Sequence, residues 1–213
     1  MAFSLLRPAI ALLLAGTVAC ALHAQDRGKL PITVEAKSSD FDSNNSVLVF
    51  EEVKIVQGAV RITAEKARAS GLNFEESGWE FSGTVRIQLT DGALASDTAR
   101  VRFTKGEIQS ATVTGVPATF EQCRDAKLAQ GRANRIDYDL ANGTVELAGD
   151  AWLSDGRDEI TGPTLVYSTT NQKVISRGQV VITIQPRDKE AAPATTPTPA
   201  PAAAPCTPPK APE

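Results

Sequence analysis

Short runs of alternating apolar and polar residues fill the chain between Leu30 and Pro186. In the run ARVRF, for example, Ala99, Val101 and Phe103 fall on one face and two arginines fall on the other. The same period of two recurs in ITVEA, RIDYDL, TVEL, LVY and VVITI, and clusters of Gly, Asn, Asp and Ser separate the runs. Such alternation bounded by turn residues is typical of strands, so the pattern predicts an all-β fold.

The segment VTGVPATFEQ fits this alternation but contains a proline. Val116, Ala118 and Phe120 fall on one face of an extended chain, and Pro117 falls on the other. Proline cannot donate to the hydrogen-bond ladder of a sheet. The sequence therefore predicts a strand with a bulge or a sheet margin at Pro117, and an inward Phe120.

The alternating runs also repeat along the chain. Val53, Val85 and Ala151 each precede a Gly-containing turn, at spacings of 32 and 66 residues, and Ala118 lies midway in the longer interval. A period of about 33 residues predicts stacked β hairpins, each of which buries its face on its neighbours. Chance similarity among Gly-rich hairpins is the alternative. An open stack leaves an unpaired strand at each end, which permits head-to-tail extension.

The two ends of the chain differ from this middle part. Residues 1–24 contain one basic residue, an apolar run and then small residues, which predicts a signal peptide cleaved after Ala24 or Ala21. A retained anchor and lipidation at Cys20 are alternatives. Residues 187–213 are almost wholly Pro, Ala and Thr, which predicts a disordered tail. One folded domain is expected between them, over residues 25–186.

Composition excludes several functions. The one histidine, His23, lies in the predicted leader, so the exported chain would lack histidine-based triads and most zinc sites. The net charge of −3, without a basic stripe, argues against nucleic-acid binding. No catalytic residue, metal ligand or cofactor is therefore predicted. The cysteines imply no disulfide framework, although a bond between Cys123 and Cys206 is possible.

Three pieces follow one another within residues 31–186: VQGAVRITAEK, GVPATFEQ and the stretch from GRANRIDYDL to DEITGPTLVYS. In this order they resemble segments of the OstA/LptA-type lipopolysaccharide transport proteins. Residues 69–114 are longer than the family pattern by about one repeat. The resemblance implies an open antiparallel β-jellyroll with an apolar groove, in the periplasm. It implies a protein, not an enzyme, that shelters the acyl chains of lipopolysaccharide between an inner-membrane anchored component and an outer-membrane translocon, as a head-to-tail homo-oligomer.

The resemblance also assigns candidate lipid-binding residues. Ile32 and Val34 match family positions in the first strand, Phe120 matches the aromatic of the PATF piece, and Tyr138 and Leu140 match the following strand. All five are also suited to an ordinary apolar core, which the sequence does not distinguish from a groove.

Two other functions remain open from the sequence. One is a secreted β-solenoid enzyme that acts on polysaccharide, with Asp137 and Asp139 as its paired carboxylates. The other is a different part of the same transport system, such as the soluble domain of its inner-membrane anchored member or the periplasmic domain of its outer-membrane member.

Overall fold

The computed structural model describes residues 30–42, 44, 47–70 and 74–185. Within them, twelve antiparallel strands form a single sheet. The strands follow one another in space almost as they do in sequence, because each hairpin pairs with the next. They are β1 (Thr33–Glu35), β2 (Ser38–Asp42), β3 (Val47–Gln57), β4 (Val60–Ala69), β5 (Glu76–Gln88), β6 (Gly92–Thr104), β7 (Glu107–Arg124), β8 (Lys127–Asp139), β9 (Thr144–Ser154), β10 (Glu159–Ser168), β11 (Val174–Arg177) and β12 (Val181–Thr183). The predicted open all-β architecture is confirmed.

The regular ladder is interrupted at the same place in successive strands. Glu52 in β3, Thr84 in β5 and Asp150 in β9 have left-handed backbones, with φ of 49°, 45° and 51°. In β7 the pairing with β8 shifts register between Thr114 and Ala118. We call this line of interruptions the ridge. Bulges of this kind bend a sheet, so the ridge divides most of the long strands into two arms.

The two arms fold towards each other. Limb 1 consists of the residues that precede the ridge in β3, β5, β7 and β9, together with the residues that follow it in β4, β6, β8 and β10. Limb 2 consists of the other arm of each of these strands. Gln57 Nε2, in limb 2, donates to the carbonyl oxygen of Gly106, in limb 1, at 2.8 Å. Gly106 lies in the turn between β6 and β7, and neither of these strands neighbours β3 in the sheet, so the contact shows that the sheet is folded along the ridge.

The predicted repeat corresponds to this ridge. Val53, Val85, Ala118 and Ala151 are buried, and each directly follows the interruption in its own strand. Two residues further on, each strand places another apolar side chain inward, and in β7 that residue is Phe120. Phe120 pairs with Gly131 of β8. A large ring opposite a glycine thus occupies the position where the other hairpins pair two aliphatic side chains.

Two details of the predicted alternation are wrong. Val116, expected inward, is 90% exposed, because the bulge at Pro117 reverses the faces between Val113 and Ala118. In the last run, Ile182 and Ile184 were expected inward but are 59% and 72% exposed. The short β12 pairs only with β10 in the part of the chain that the structure describes, and it ends the sheet there.

Cys123 is disulfide-bonded, a state that the number of cysteines did not predict. The other two cysteines, Cys20 and Cys206, lie outside the described residues, as do the predicted leader and the predicted tail. The described residues include no helix long and apolar enough to cross a membrane.

Two glycines of the sheet differ in how closely neighbouring atoms pack against them, and this difference can be tested. A side chain at Gly92 would strike the backbone carbonyl oxygen of Glu121 on the next strand, whereas one at Gly78 would meet nothing within 4 Å. We expect Gly92→Ala to lower the free energy of unfolding by about 1–3 kcal/mol, as over-packing does. Gly78→Ala, the matched control, should change it by less than about 0.5 kcal/mol. Urea denaturation measures both, and equal effects would contradict the described packing of β6 on β7.

Candidate functional site

An apolar interior lies between the two limbs. Limb 1 contributes side chains such as Val113, Ile136 and Leu165, and limb 2 contributes Leu94 and Ala118, all at most 2% exposed. The buried side chains form one continuous cluster, onto which the partly buried Ile32, Val34 and Leu140 pack. In this structure the interior is a filled core, and its exits lie on the side opposite the ridge.

The open side of the fold, which we call the mouth, contains a cleft between the limbs. This mouth cleft has a volume of about 630 Å³. Val60 and Leu89 of limb 2 line it on one side, and Ile108, Tyr138 and Leu140 of limb 1 line it on the other. Its wall also includes the carboxylates of Asp91 and Glu107 and several amide and hydroxyl side chains, so apolar and polar groups meet where the interior reaches solvent.

A second cleft of about 540 Å³ opens further along the mouth, between Leu128 and Leu153 of limb 2 and Tyr167 and Val174 near the end of limb 1. Between the two clefts, Arg124 Nη1 donates to the carbonyl oxygen of Thr169 at 2.8 Å. Arg124 lines the second cleft and Thr169 lines the mouth cleft, so this hydrogen bond joins the limbs where the clefts meet.

Buried polar groups also connect the limbs near the mouth. The Tyr167 hydroxyl group lies 3.3 Å from Gln122 Oε1, and Gln122 Nε2 donates to Asp91 Oδ2 at 3.0 Å. Gln122 is 2% exposed. A buried amide without partners would be costly, so these contacts fix how the limbs meet. The mouth is thus closed by individual hydrogen bonds rather than by a continuous ladder.

The structure brings together some of the predicted lipid-binding residues. Phe120 is 2% exposed and packs edge-on against Tyr138, with ring centroids 5.9 Å apart. Tyr138 and Leu140 line the mouth cleft. Ile32 and Val34 lie apart from them, in and next to β1, which pairs with β3, and they are half-buried there. Their role in lipid binding stays a prediction for all five.

Sequence reasoning missed the polar residues of the mouth. Gln57 follows Val53 and Ile55 on the inward face, and Gln122 follows Ala118 and Phe120 in the same way. In each case a polar residue continues an apolar inward alternation at the same place in the repeat. That departure from the pattern is the signal that could have found them.

The paired carboxylates of the enzyme alternative are not suited to acid catalysis. Hydrogen bonding from Arg135 and Thr112 lowers the pKa of Asp137, and hydrogen bonding from Asn142 lowers the pKa of Asp139. A glycoside-cleaving general acid needs a raised pKa instead. Both groups are therefore acceptors in local surface contacts.

Comparison with known proteins agrees with the resemblance. A family model described as "LptA/(LptD N-terminal domain) LPS transport protein" matches residues 69–173. The lipopolysaccharide export system protein LptA of Haemophilus influenzae is 27% identical over 169 residues, which cover 78% of this chain and 80% of that protein. The chain is thus similar to the LptA proteins.

Two further proteins are similar to this chain. The LptA protein of Escherichia coli K12 is 26% identical, and the match covers 68% of this chain but only 63% of that protein. The crystal structure of LptH from Pseudomonas aeruginosa, titled the LptA-homologous periplasmic component of a lipopolysaccharide transport device, is 20% identical with a TM-score of 0.48. That match covers 75% of this chain and 99% of LptH.

The family match includes the hairpin β5–β6, which occupies much of the stretch that appeared one repeat too long. It also includes Phe120, Tyr138 and Leu140 but not the two candidates in the first strand. The relatives are named as export-system proteins, so the polysaccharide-enzyme alternative receives no support from them.

The phenols at the mouth predict a loss of stability in alkali. Burial raises the pKa of Tyr138 and Tyr167, the two tyrosines of the chain. The folded state therefore retains these protons at a pH where the unfolded chain, with a pKa of about 10, has lost them. We expect the free energy of unfolding to decline as the pH rises above about 10, through the raised native pKa values.

Urea denaturation at several alkaline pH values, with absorbance of tyrosinate as the titration signal, measures this effect. Substitution of both tyrosines by phenylalanine should flatten the decline, which separates it from the titration of lysines. Phenols that titrate in the folded protein as they do in urea would contradict the buried placement.

Proposed function

We propose that this protein binds lipopolysaccharide and carries it across the periplasm for assembly of the outer membrane. The observation that carries the proposal is the apolar interior between two limbs that meet at a cleft-containing mouth. The names of the relatives, which are lipopolysaccharide export proteins, support the identity of the cargo. The leader-like residues 1–24 support export, with residues 25–186 as the folded domain and 187–213 as a tail.

The physical problem that such a carrier solves is the exposure of acyl chains to water. Each methylene group costs about 0.8 kcal/mol in water, so a lipid with several chains needs continuous shelter. The inward side chains of both limbs are Val, Ile, Leu, Ala and aromatic residues, which offer apolar contact without a charged group. Such contacts hold a chain without fixing it at one point, and the lipid can therefore slide.

Entry of an acyl chain requires the limbs to separate, because the interior is filled in this structure. Among the described residues, the direct hydrogen bonds across the mouth include Gln57 to Gly106, Arg124 to Thr169 and Tyr167 to Gln122. The two neutral bonds contribute about 0.5–1.5 kcal/mol each, and the bond from the charged Arg124 contributes about 1.5–3 kcal/mol. The ridge, with its interrupted ladder, is the line about which the limbs turn. Separation at the mouth would expose Tyr138 and Leu140 to an incoming chain first.

Partners are proposed from the same features. The inner-membrane anchored component would deliver the lipid to one end of the stack, and the outer-membrane translocon would receive it at the other. At the end that β12 forms, Val181, Ile182 and Ile184 are 62%, 59% and 72% exposed. An unguarded apolar edge suits addition of a further strand from a second copy or a related partner.

Photocrosslinking tests the proposal. A photoreactive amino acid at Leu140 or Phe120 should crosslink to lipopolysaccharide, because both side chains face the space between the limbs. The matched control is Thr119, which neighbours Phe120 but points to the outer face of β7. Crosslinks at Thr119 as strong as those at Phe120, or no crosslink from any inward position, would contradict the proposed function.

A further inference from the structure

Five aromatic rings are concentrated in one part of limb 1. Trp79 stacks on Phe50, Phe74 and Phe81, with ring centroids 5.6, 5.2 and 5.9 Å apart, and Phe103 packs edge-on against Phe74 at 5.0 Å. All five side chains are at most 8% exposed. We call this group the aromatic cluster. None of its members was among the residues predicted to bind lipid, although the alternation in ARVRF places Phe103 on the apolar face.

Two buried polar atoms beside these rings lack a hydrogen-bond partner. Within the described part of the chain, Trp79 Nε1 and Ser77 Oγ are inaccessible to solvent and make no hydrogen bond. Trp79 is 1% exposed and Ser77 is 5% exposed. Nearly all buried polar groups in folded proteins are satisfied, and an orphan donor costs free energy. Two of them at alternate positions of β5 therefore point to a missing acceptor.

The chemistry of the surroundings restricts what that acceptor can be. The indole N–H group is a donor only, and a serine hydroxyl group can donate as well. The neighbouring side chains of the cluster are hydrocarbon rings, which would make burial of a charged ligand group costly. The fitting ligand is a molecule that is mostly apolar but has a neutral carbonyl oxygen. An acyl chain joined through an ester or amide group has this composition.

We propose that Ser77 and Trp79 form a subsite that binds the ester or amide carbonyl of a lipid acyl chain, while the chain lies against the aromatic cluster. This inference depends on the proposed lipid-binding function and adds a polar point of recognition to it. A carrier with only apolar contacts would not distinguish an acyl chain from any other alkyl chain. Two donors at this place would make the distinction.

The cluster is connected to the mouth through Phe74. The carbonyl oxygen of Phe74 accepts a hydrogen bond from Gly106 N at 2.9 Å, and Gly106 in turn accepts one from Gln57 of limb 2. Phe74 has a left-handed backbone with φ of 49°, which is strained for an aromatic residue. Its ring stacks on that of Trp79. The mouth contact of Gln57 is therefore linked, through Gly106, to a residue that packs against one of the two donors' side chains.

The indole proton of Trp79 offers a direct test by NMR. The chain has two tryptophans, and Trp152→Phe leaves Trp79 as the one remaining indole signal. The probes are sucrose monolaurate, which has an ester carbonyl, and dodecyl maltoside, which has a chain of the same length joined through a glycosidic oxygen and no carbonyl group. We expect a downfield shift of the indole proton with the laurate ester and with lipopolysaccharide, but not with the maltoside. Equal shifts with both detergents, or none with either, would overturn the subsite.

Substitutions provide an independent test. Ser77→Ala removes an orphan hydroxyl group, so it should raise the thermal midpoint of the lipid-free protein and still weaken binding of lipopolysaccharide. Trp79→Phe should weaken that binding by about 3- to 10-fold, as expected for one lost hydrogen bond. Trp152→Phe is the matched control, because the Trp152 indole already donates to Glu159 at 3.1 Å, outside the cluster. It should leave binding unchanged.

The outcomes separate this inference from the proposed function. Lipopolysaccharide that binds the Ser77→Ala and Trp79→Phe variants as tightly as the unaltered protein would overturn the subsite and leave the carrier function intact. Lipopolysaccharide that fails to bind the unaltered protein would overturn both. Weaker binding in the two variants, with unchanged binding in the control, supports the subsite.

Discussion

A single sheet has no second layer to cover its apolar face, and this constraint shapes the rest of the molecule. Apolar area removed from water contributes about 25 cal/mol per Å², so one face of a sheet this long must find cover. The chain solves the problem by folding the sheet onto itself along the ridge. Left-handed residues at Glu52, Thr84 and Asp150 and the register shift in β7 permit the bend. The core, the mouth and both clefts follow from that one fold.

The same bend explains what sequence patterns could and could not predict. Alternation within one arm depends only on neighbouring residues, so the inward positions of Val101, Ile136 and Leu147 were predictable and are buried. At the bend, the alternation of inward and outward residues shifts by one position, and Val116 therefore points outward. The period of about 33 residues predicted where the interruptions recur along the chain, but it did not predict that they line up and bend the sheet. Contacts between distant strands, such as those of Gln57 and Gln122, depend on how the limbs meet and have no local pattern.

The stability of the lipid-free protein and its capacity to bind a lipid depend on the same contacts between the limbs. Without a ligand, the inward side chains of the two limbs cover each other, and hydrogen bonds at the mouth hold the limbs together. A bound acyl chain would replace these limb-to-limb contacts with equally apolar ones, so little hydrophobic free energy changes on exchange. The polar groups then decide which state is favoured. In this view, Arg124 and Gln57 stabilise the closed form, whereas the orphan donors of Ser77 and Trp79 favour the occupied one.

Contacts between acyl chains and buried methyl groups would show most directly whether the lipid occupies the space between the limbs. Intermolecular nuclear Overhauser effects can be measured between the acyl protons of bound lipopolysaccharide and the methyl groups of an otherwise deuterated protein. Leu147 and Leu165 are both 0% exposed and face the interior, whereas Val116 and Ile184 are exposed. Strong effects are expected to the two leucines and none to the two exposed residues. Effects confined to Val116 and Ile184 would contradict binding between the limbs.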